Sequence, residues 1–147
     1  MTDKITNKSK RVSGSDCHQY VQNLQPFHNS GSNHRHPKGS TLWGKWVTDT
    51  NDKPLLYVVY SYGPHFPLYI NWKGVWFANE ERVSRTTNNH KSYAHPRKPC
   101  VPLSRDQMVD FAFYTSPKPE HLVEAAKMKL LSDDILIAEA TKIRIGG

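Results

Sequence analysis

Residues 55–78 read Leu55-Leu56-Tyr57-Val58-Val59-Tyr60-Ser61-Tyr62-Gly63-Pro64-His65-Phe66-Pro67-Leu68-Tyr69-Ile70-Asn71-Trp72-Lys73-Gly74-Val75-Trp76-Phe77-Ala78. β-Branched and aromatic side chains dominate the stretch, and these fit a pleated, half-buried surface. Gly63-Pro64 ends the first run, and Lys73-Gly74 makes a tight turn between the second and third. The pattern predicts strands over 55–62, 66–72 and 75–78. Upstream, Thr41-Leu42-Trp43-Gly44-Lys45-Trp46-Val47 reads as a further strand, and 48–53 as a turn cluster. Short turns favour antiparallel pairing, because parallel strands need crossover connections, and the sequence shows none. The expected fold is α+β, built on a small antiparallel β-meander of three to four strands. This segment holds all four Trp. Their rings form one face of the core or, if the sheet has a wet side, a binding surface there.

The flanks divide the rest. Residues 1–40 are poor in apolar side chains, so ordering them would go uncompensated. They are expected to be a flexible basic arm with one sticky segment at 20–27. Residues 41–147 are expected to be a single domain, in which 41–79 form the meander, 80–103 a long basic loop and 104–147 helices. Ser104 with Gln107 makes a capping-box pattern ahead of Met108, Phe111 and Ala112. Pro119 suits a first helical position before Leu122, Val123, Ala126 and Leu130. Ser132-Asp133-Asp134 resembles the start of a third helix with an apolar stripe at Leu136, Ala140 and Ile143. The helices are expected to pack on one face of the sheet.

The chain has 147 residues and a net charge of +7, which suits one domain plus a tail and an anionic partner. Cys17 and Cys100 are the only cysteines and read as free thiols, not as a disulfide framework. Residues 1–10 are polar and lack the apolar run of a leader, and no segment is long enough to span a bilayer. The expected location is the cytosol, with no membrane partner.

Chemistry-bearing patterns are sparse. His34-Arg35-His36, with His18 or His28 as extra ligands, suggests chelation, but no Cys pair completes a zinc pattern. His90 and His95 have no acid near them in sequence. Asp49, Asp52, Glu80 and Glu81 sit at turns, and Asp133 and Asp134 are explained by helix capping. No phosphate loop, nucleophile elbow or HExxH occurs. The reading assigns no catalytic residue, metal ligand or cofactor.

The strongest signal is 82–98. Arg82, Arg85, Lys91, Arg97 and Lys98 alternate with Ser84, Thr86, Thr87, Asn88, Asn89, His90, Ser92 and Tyr93, and no acid lies between Glu81 and Asp106. Phosphate backbones are contacted by this mixture, cations supplying charge and hydroxyls or amides supplying register. Here the five cations would neutralise phosphates. Ser84, Thr86, Thr87 and His90 would hydrogen-bond to them, and Tyr93 would stack on a base.

Tyr60-Ser61-Tyr62-Gly63, Tyr69, Trp76, Asn79 and Val83-Ser84-Arg85-Thr86-Thr87-Asn88-Asn89-His90 together resemble a small domain of unknown function carried by tailed-phage proteins. The family pattern has Tyr-Ser-x-Gly on one strand, a Trp-containing strand, and then Tyr-Ser-x-Thr-Thr-x-x-His; Val83 departs from it where Tyr is expected. The resemblance spans about residues 55–95. It implies phage or mobile-element origin, hence a host cytosol, and carries no activity with it.

The sequence thus predicts a non-catalytic, phage-type accessory protein that binds nucleic acid, DNA or RNA, through the 82–98 loop and the arm. The rival is a protein-interaction module that inhibits or redirects a host enzyme, a polymerase or defence nuclease, through the aromatic sheet face. A metal-dependent nuclease is a third reading. The sequence sets no oligomeric state.

Overall fold

The structure is a computed structural model that describes residues 8–29, 41–83, 85–132 and 135, Thr86 in its backbone alone. Seven strands form one sheet in strict chain order: β1 (Lys10–Val12), β2 (Phe27–Asn29), β3 (Leu42–Thr48), β4 (Pro54–Ser61), β5 (Pro67–Trp72), β6 (Val75–Asn79) and β7 (Cys100–Leu103). Neighbours from β2 to β6 pair antiparallel. At the two edges, β1 lies parallel to β2 and β7 parallel to β6. The predicted three-to-four-strand antiparallel meander is therefore corrected to a seven-stranded mixed sheet.

Parallel pairs require crossovers, and both are present. The first is a 3-10 turn at Gly14–Asp16 followed by helix α1 (Cys17–Gln22); the second is helix α2 (Arg85–Tyr93). The expected flexible arm is corrected accordingly, because its residues 10–29 supply two strands and a helix. The remainder of that arm, 1–7 and 30–40, lies outside the described residues, as do His34 and His36. The two crossovers meet on one face of the sheet. Gln22 Nε2 donates to the Pro96 carbonyl at 3.1 Å, and the Tyr93 ring lies so close to Gly14 that a Cβ there would approach it to 3.1 Å.

Helices α3 (Arg105–Tyr114) and α4 (Pro119–Lys127) complete the chain's described part. Their starts follow the predicted chemistry. Gln107 N–H donates to Ser104 Oγ at 3.2 Å, Ser104 N–H donates to Gln107 Oε1 at 2.9 Å, and Pro119 opens α4. The third predicted helix falls almost wholly outside the described residues.

Alternation along the central strands gives two cores. Leu56, Val58, Tyr60, Ile70, Trp72, Val75 and Phe77 face α3 and α4 and bury Met108, Phe111 and Ala125 with them. The Phe77 and Phe111 rings meet edge-on at 4.8 Å. Tyr57, Val59, Tyr69 and Trp76 face the other way, toward Cys17, Val21, Phe27 and Ala94. Each large apolar side chain so buried contributes about 1.5–3 kcal/mol. Both faces are thus covered, one by the C-terminal helices α3 and α4 and the other by the unanticipated crossover helices α1 and α2. The buried tyrosines find partners on the helical layer. Tyr57 Oη donates to the Gln25 carbonyl at 2.7 Å, and Tyr69 Oη to the Lys91 carbonyl at 2.8 Å. The second bond satisfies a carbonyl in the last turn of α2, where helices leave acceptors orphaned. No helix among the described residues is long and apolar enough to cross a membrane.

Candidate functional site

The predicted loop 80–103 is a crossover. Asn79 stops β6 by turning its side chain back on the chain: its Oδ1 accepts from Glu81 N–H at 2.9 Å, and its Nδ2 donates to the Pro67 carbonyl at 3.0 Å. The chain then enters α2, whose composition is unusual for a packed helix. The residues facing the sheet are Thr87 and His90, both buried, with buried Ala94 just past the end. Outward stand Arg85, Asn88, Asn89 and Ser92.

The sequence-predicted residues separate into two sets. Arg82, Arg85, Arg97, Lys98 and Tyr93 are exposed. Arg82 and Arg85 lie at the start of α2, and Arg97 and Lys98 beyond its end. Nine helical residues separate the pairs by roughly 13 Å along the axis. None of these four cations takes part in an ion pair among the described residues. Lys91 differs, being half-buried with its Nζ donating to the Glu81 carbonyl at 2.8 Å. Burial lowers its pKa, with Glu81 and Glu80 opposing that shift. Lys91 latches the approach to α2 onto the helix. Thr87 and His90 point inward, away from the exposed cations. The side chains of Ser84 and Thr86 lie outside the described residues.

His90 is the centre of the inward set. Ser61 Oγ sits 2.8 Å from its Nδ1 and Thr41 Oγ1 3.3 Å from its Nε2. The Tyr62 ring lies over it at 5.2 Å with an interplanar angle of 34°. Burial lowers the His90 pKa and so favours the neutral ring, in which one nitrogen donates and the other accepts. The Ser61–His90 distance is that of a nucleophile and base. Yet Ser61 is 1% exposed and His90 4%, and a hydroxyl, not a carboxylate, holds the ring's second nitrogen. The arrangement fixes a ring in place and offers no reachable nucleophile.

Sequence reasoning did not single out what lies beside this ring. A cleft of about 240 Å³ is lined by Ser61, Tyr62, Gly63, His65, Phe66, Thr87 and Arg105. It sits beyond the carboxyl ends of β4 and β6, where the 62–66 loop meets the first turns of α2 and α3. Arg105 lies 5.9 Å from the Phe66 ring centre and 3.8 Å from Glu81 in an exposed ion pair of little strength. Ser61 and His90, 29 residues apart in the chain, meet beside the cleft.

The surface proposed for the rival reading is covered. Tyr57, Tyr69, Trp72 and Trp76 are all buried between the sheet and its helices. The large exposed aromatics lie elsewhere. Phe113 and Tyr114, at the end of α3, are 77% and 67% exposed. Among the described residues no three His, Cys, Asp or Glu side chains come together as a metal site. Cys17 is buried and Cys100 half-buried, and both are free. No family model matches the chain, and neither does any curated protein or solved structure.

Proposed function

We propose that this chain is a phage-type accessory protein that binds nucleic acid without chemistry of its own, through the cations at the two ends of α2. The observation that carries the reading is that Arg82, Arg85, Arg97 and Lys98 are exposed and in no ion pair among the described residues, over a span of chain, 82–105, that contains no acid. Arg85 supports it further. A cation in the first turn of a helix opposes the helix dipole, and α2 has no acid in that turn to compensate. Helix stability therefore does not explain Arg85, whereas a bound phosphate does. The buried His90 and latched Lys91 serve to position the helix that carries these groups.

The test is binding of labelled oligonucleotides across a salt series. Counterion release makes log affinity fall linearly with log salt, by about 0.9 per phosphate neutralised on duplex DNA and about 0.7 on a single strand. Wild type should show such a slope; absence of binding even at low salt sinks the reading. A second reading, engagement of a host protein, is favoured by the exposed Phe113 and Tyr114 pair, whose rings meet edge-on at 4.9 Å. A pull-down from host lysate with and without nuclease treatment separates the two. Capture that survives nuclease and is abolished by changing both aromatics to Ser favours the protein partner.

A further inference from the structure

We propose that the cleft beyond β4 receives one unpaired nucleobase stacked on Tyr62, so that the nucleic acid recognised is single-stranded. This rests on the nucleic-acid reading above and deepens it.

Tyr62 is the first ground. Its backbone has φ 65°, a left-handed conformation that non-glycine residues adopt at a cost and that gathers at functional sites. The Tyr62 N–H is held by the Thr41 carbonyl at 2.7 Å. The residue is 49% exposed, just past the end of β4. The ring packs against His90 and lines the cleft, so the core holds it only in part.

Rigidity is the second ground. The inner face of Tyr62 rests on a histidine fixed at both nitrogens by Ser61 and Thr41. A platform already immobilised loses little conformational entropy on binding. Base–aromatic stacking on such platforms is how single strands are held, and it tolerates every base because each has a π-face.

Surroundings are the third ground. The cleft joins aromatic walls, Tyr62 and Phe66, to groups able to meet base edges: Thr87, His65 and Arg105. Thr87 and Arg85 stand two residues apart on the first turn of α2, one facing the cleft and the other solvent. A paired duplex offers no free base face, and the cleft is too small to admit a duplex.

The experiment compares an oligothymidylate of about ten nucleotides with a duplex of equal length, by fluorescence anisotropy at low salt. Wild type should prefer the single strand. Tyr62→Ala should weaken single-strand binding roughly 5- to 150-fold, the range expected for removing one base stack, while leaving the salt slope and duplex affinity unchanged. Tyr62→Phe and Tyr62→Trp should retain affinity. In parallel, wild-type protein is irradiated with an oligonucleotide carrying 5-iodouracil, and the adduct is mapped by mass spectrometry. An adduct on Tyr62 supports the proposal even if Tyr62→Ala folds poorly. If wild type binds with a clear salt slope but prefers duplex, or Tyr62→Ala folds and binds normally, or the adduct maps only elsewhere, the cleft proposal is overturned and the cation reading stands. If wild type binds neither probe, both fall.

Discussion

Gly44 shows how tightly single positions are constrained. A Cβ there would collide with Tyr57 Oη and come within 2.5 Å of Phe27 Cε1. Gly44→Ala should cost about 1–3 kcal/mol by overpacking, read as a lower midpoint in urea with unchanged m-value. Arg85→Gln should do the opposite of a usual substitution. Removing a cation from the first turn of α2 should leave stability equal or raise it by about 0.3–1 kcal/mol, while nucleic-acid affinity falls. A loss of stability would show that Arg85 has a structural role. The histidines set a pH dependence. Burial lowers the pKa of His90 and His121 below the ordinary 6.5, and His28 and His95 shift the same way, with Arg11 and Arg97 adding to burial. For His121, Lys118 adds to burial and Glu120 opposes it. Its Nδ1 accepts from Lys118 N–H at 3.3 Å, and its buried Nε2 has no partner among the described residues. The unfolded chain takes up these protons first. Their contribution to stability is therefore complete above pH 6.5 and lost as the pH falls through 6.5 toward the lower folded values. A thermal midpoint unchanged from pH 7.5 down to pH 5 would contradict this.

Elements were legible where local chemistry and burial agreed. The capping box at Ser104, Pro119 at the start of α4, and the Lys73-Gly74 turn, both residues at positive φ, depend on neighbours in sequence. The crossovers do not. Helix α2 is Arg-Thr-Thr-Asn-Asn-His-Lys-Ser-Tyr, most of it of middling or poor helix propensity. Its buried stripe is polar, written in Thr87 and His90, so a search for apolar periodicity passes over it. The partners that make His90 suitable for burial, Ser61 and Thr41, are remote in sequence. Likewise β1 and β2 are three residues each, too short for a period, and exist because β3 gives β2 a ladder and β2 gives one to β1. The cleft was invisible for the same reason, as 62–66, 87 and 105 converge only in the fold. Removing residues 1–29 should strip Val21 and Phe27 from the second core, leave Tyr57 Oη without its Gln25 acceptor, and yield an unfolded or aggregating chain. A truncated protein with a native thermal midpoint would restore the flexible-arm reading.

Charge belongs to the whole molecule. With a net charge of +7, some salt-dependent attraction to any polyanion is expected. The local reading therefore needs a variant that keeps the fold while altering only the α2 ends. Changing Arg82, Arg85, Arg97 and Lys98 together to Gln should reduce the salt slope by about 0.7–0.9 for each phosphate no longer neutralised, with each exposed substitution moving stability by no more than about 0.5 kcal/mol. As a control, Lys45, Lys53, Lys127 and Lys129, exposed elsewhere, should be changed alike. An equal drop in slope for both variants would mean diffuse attraction and no defined interface.

The placement of the two parallel pairs at opposite margins of the sheet has a kinetic corollary. β3 to β6 are joined by hairpins closing at 49–53, 62–66 and 73–74, whereas β1–β2 and β6–β7 close only after a helix has formed between them. Short loops are cheaper to close than long ones, and non-local pairing comes late. The hairpin block should therefore be the nucleus, and the two margins should dock afterwards as separate flaps. Because the flaps touch through Gln22–Pro96 and Gly14–Tyr93, the second to arrive closes against the first. Refolding followed by pulsed hydrogen exchange should protect Val58 and Ile70 before Arg11 and Val101, and the two margin amides should gain protection one after the other. Simultaneous protection of all four would place the margins in the nucleus.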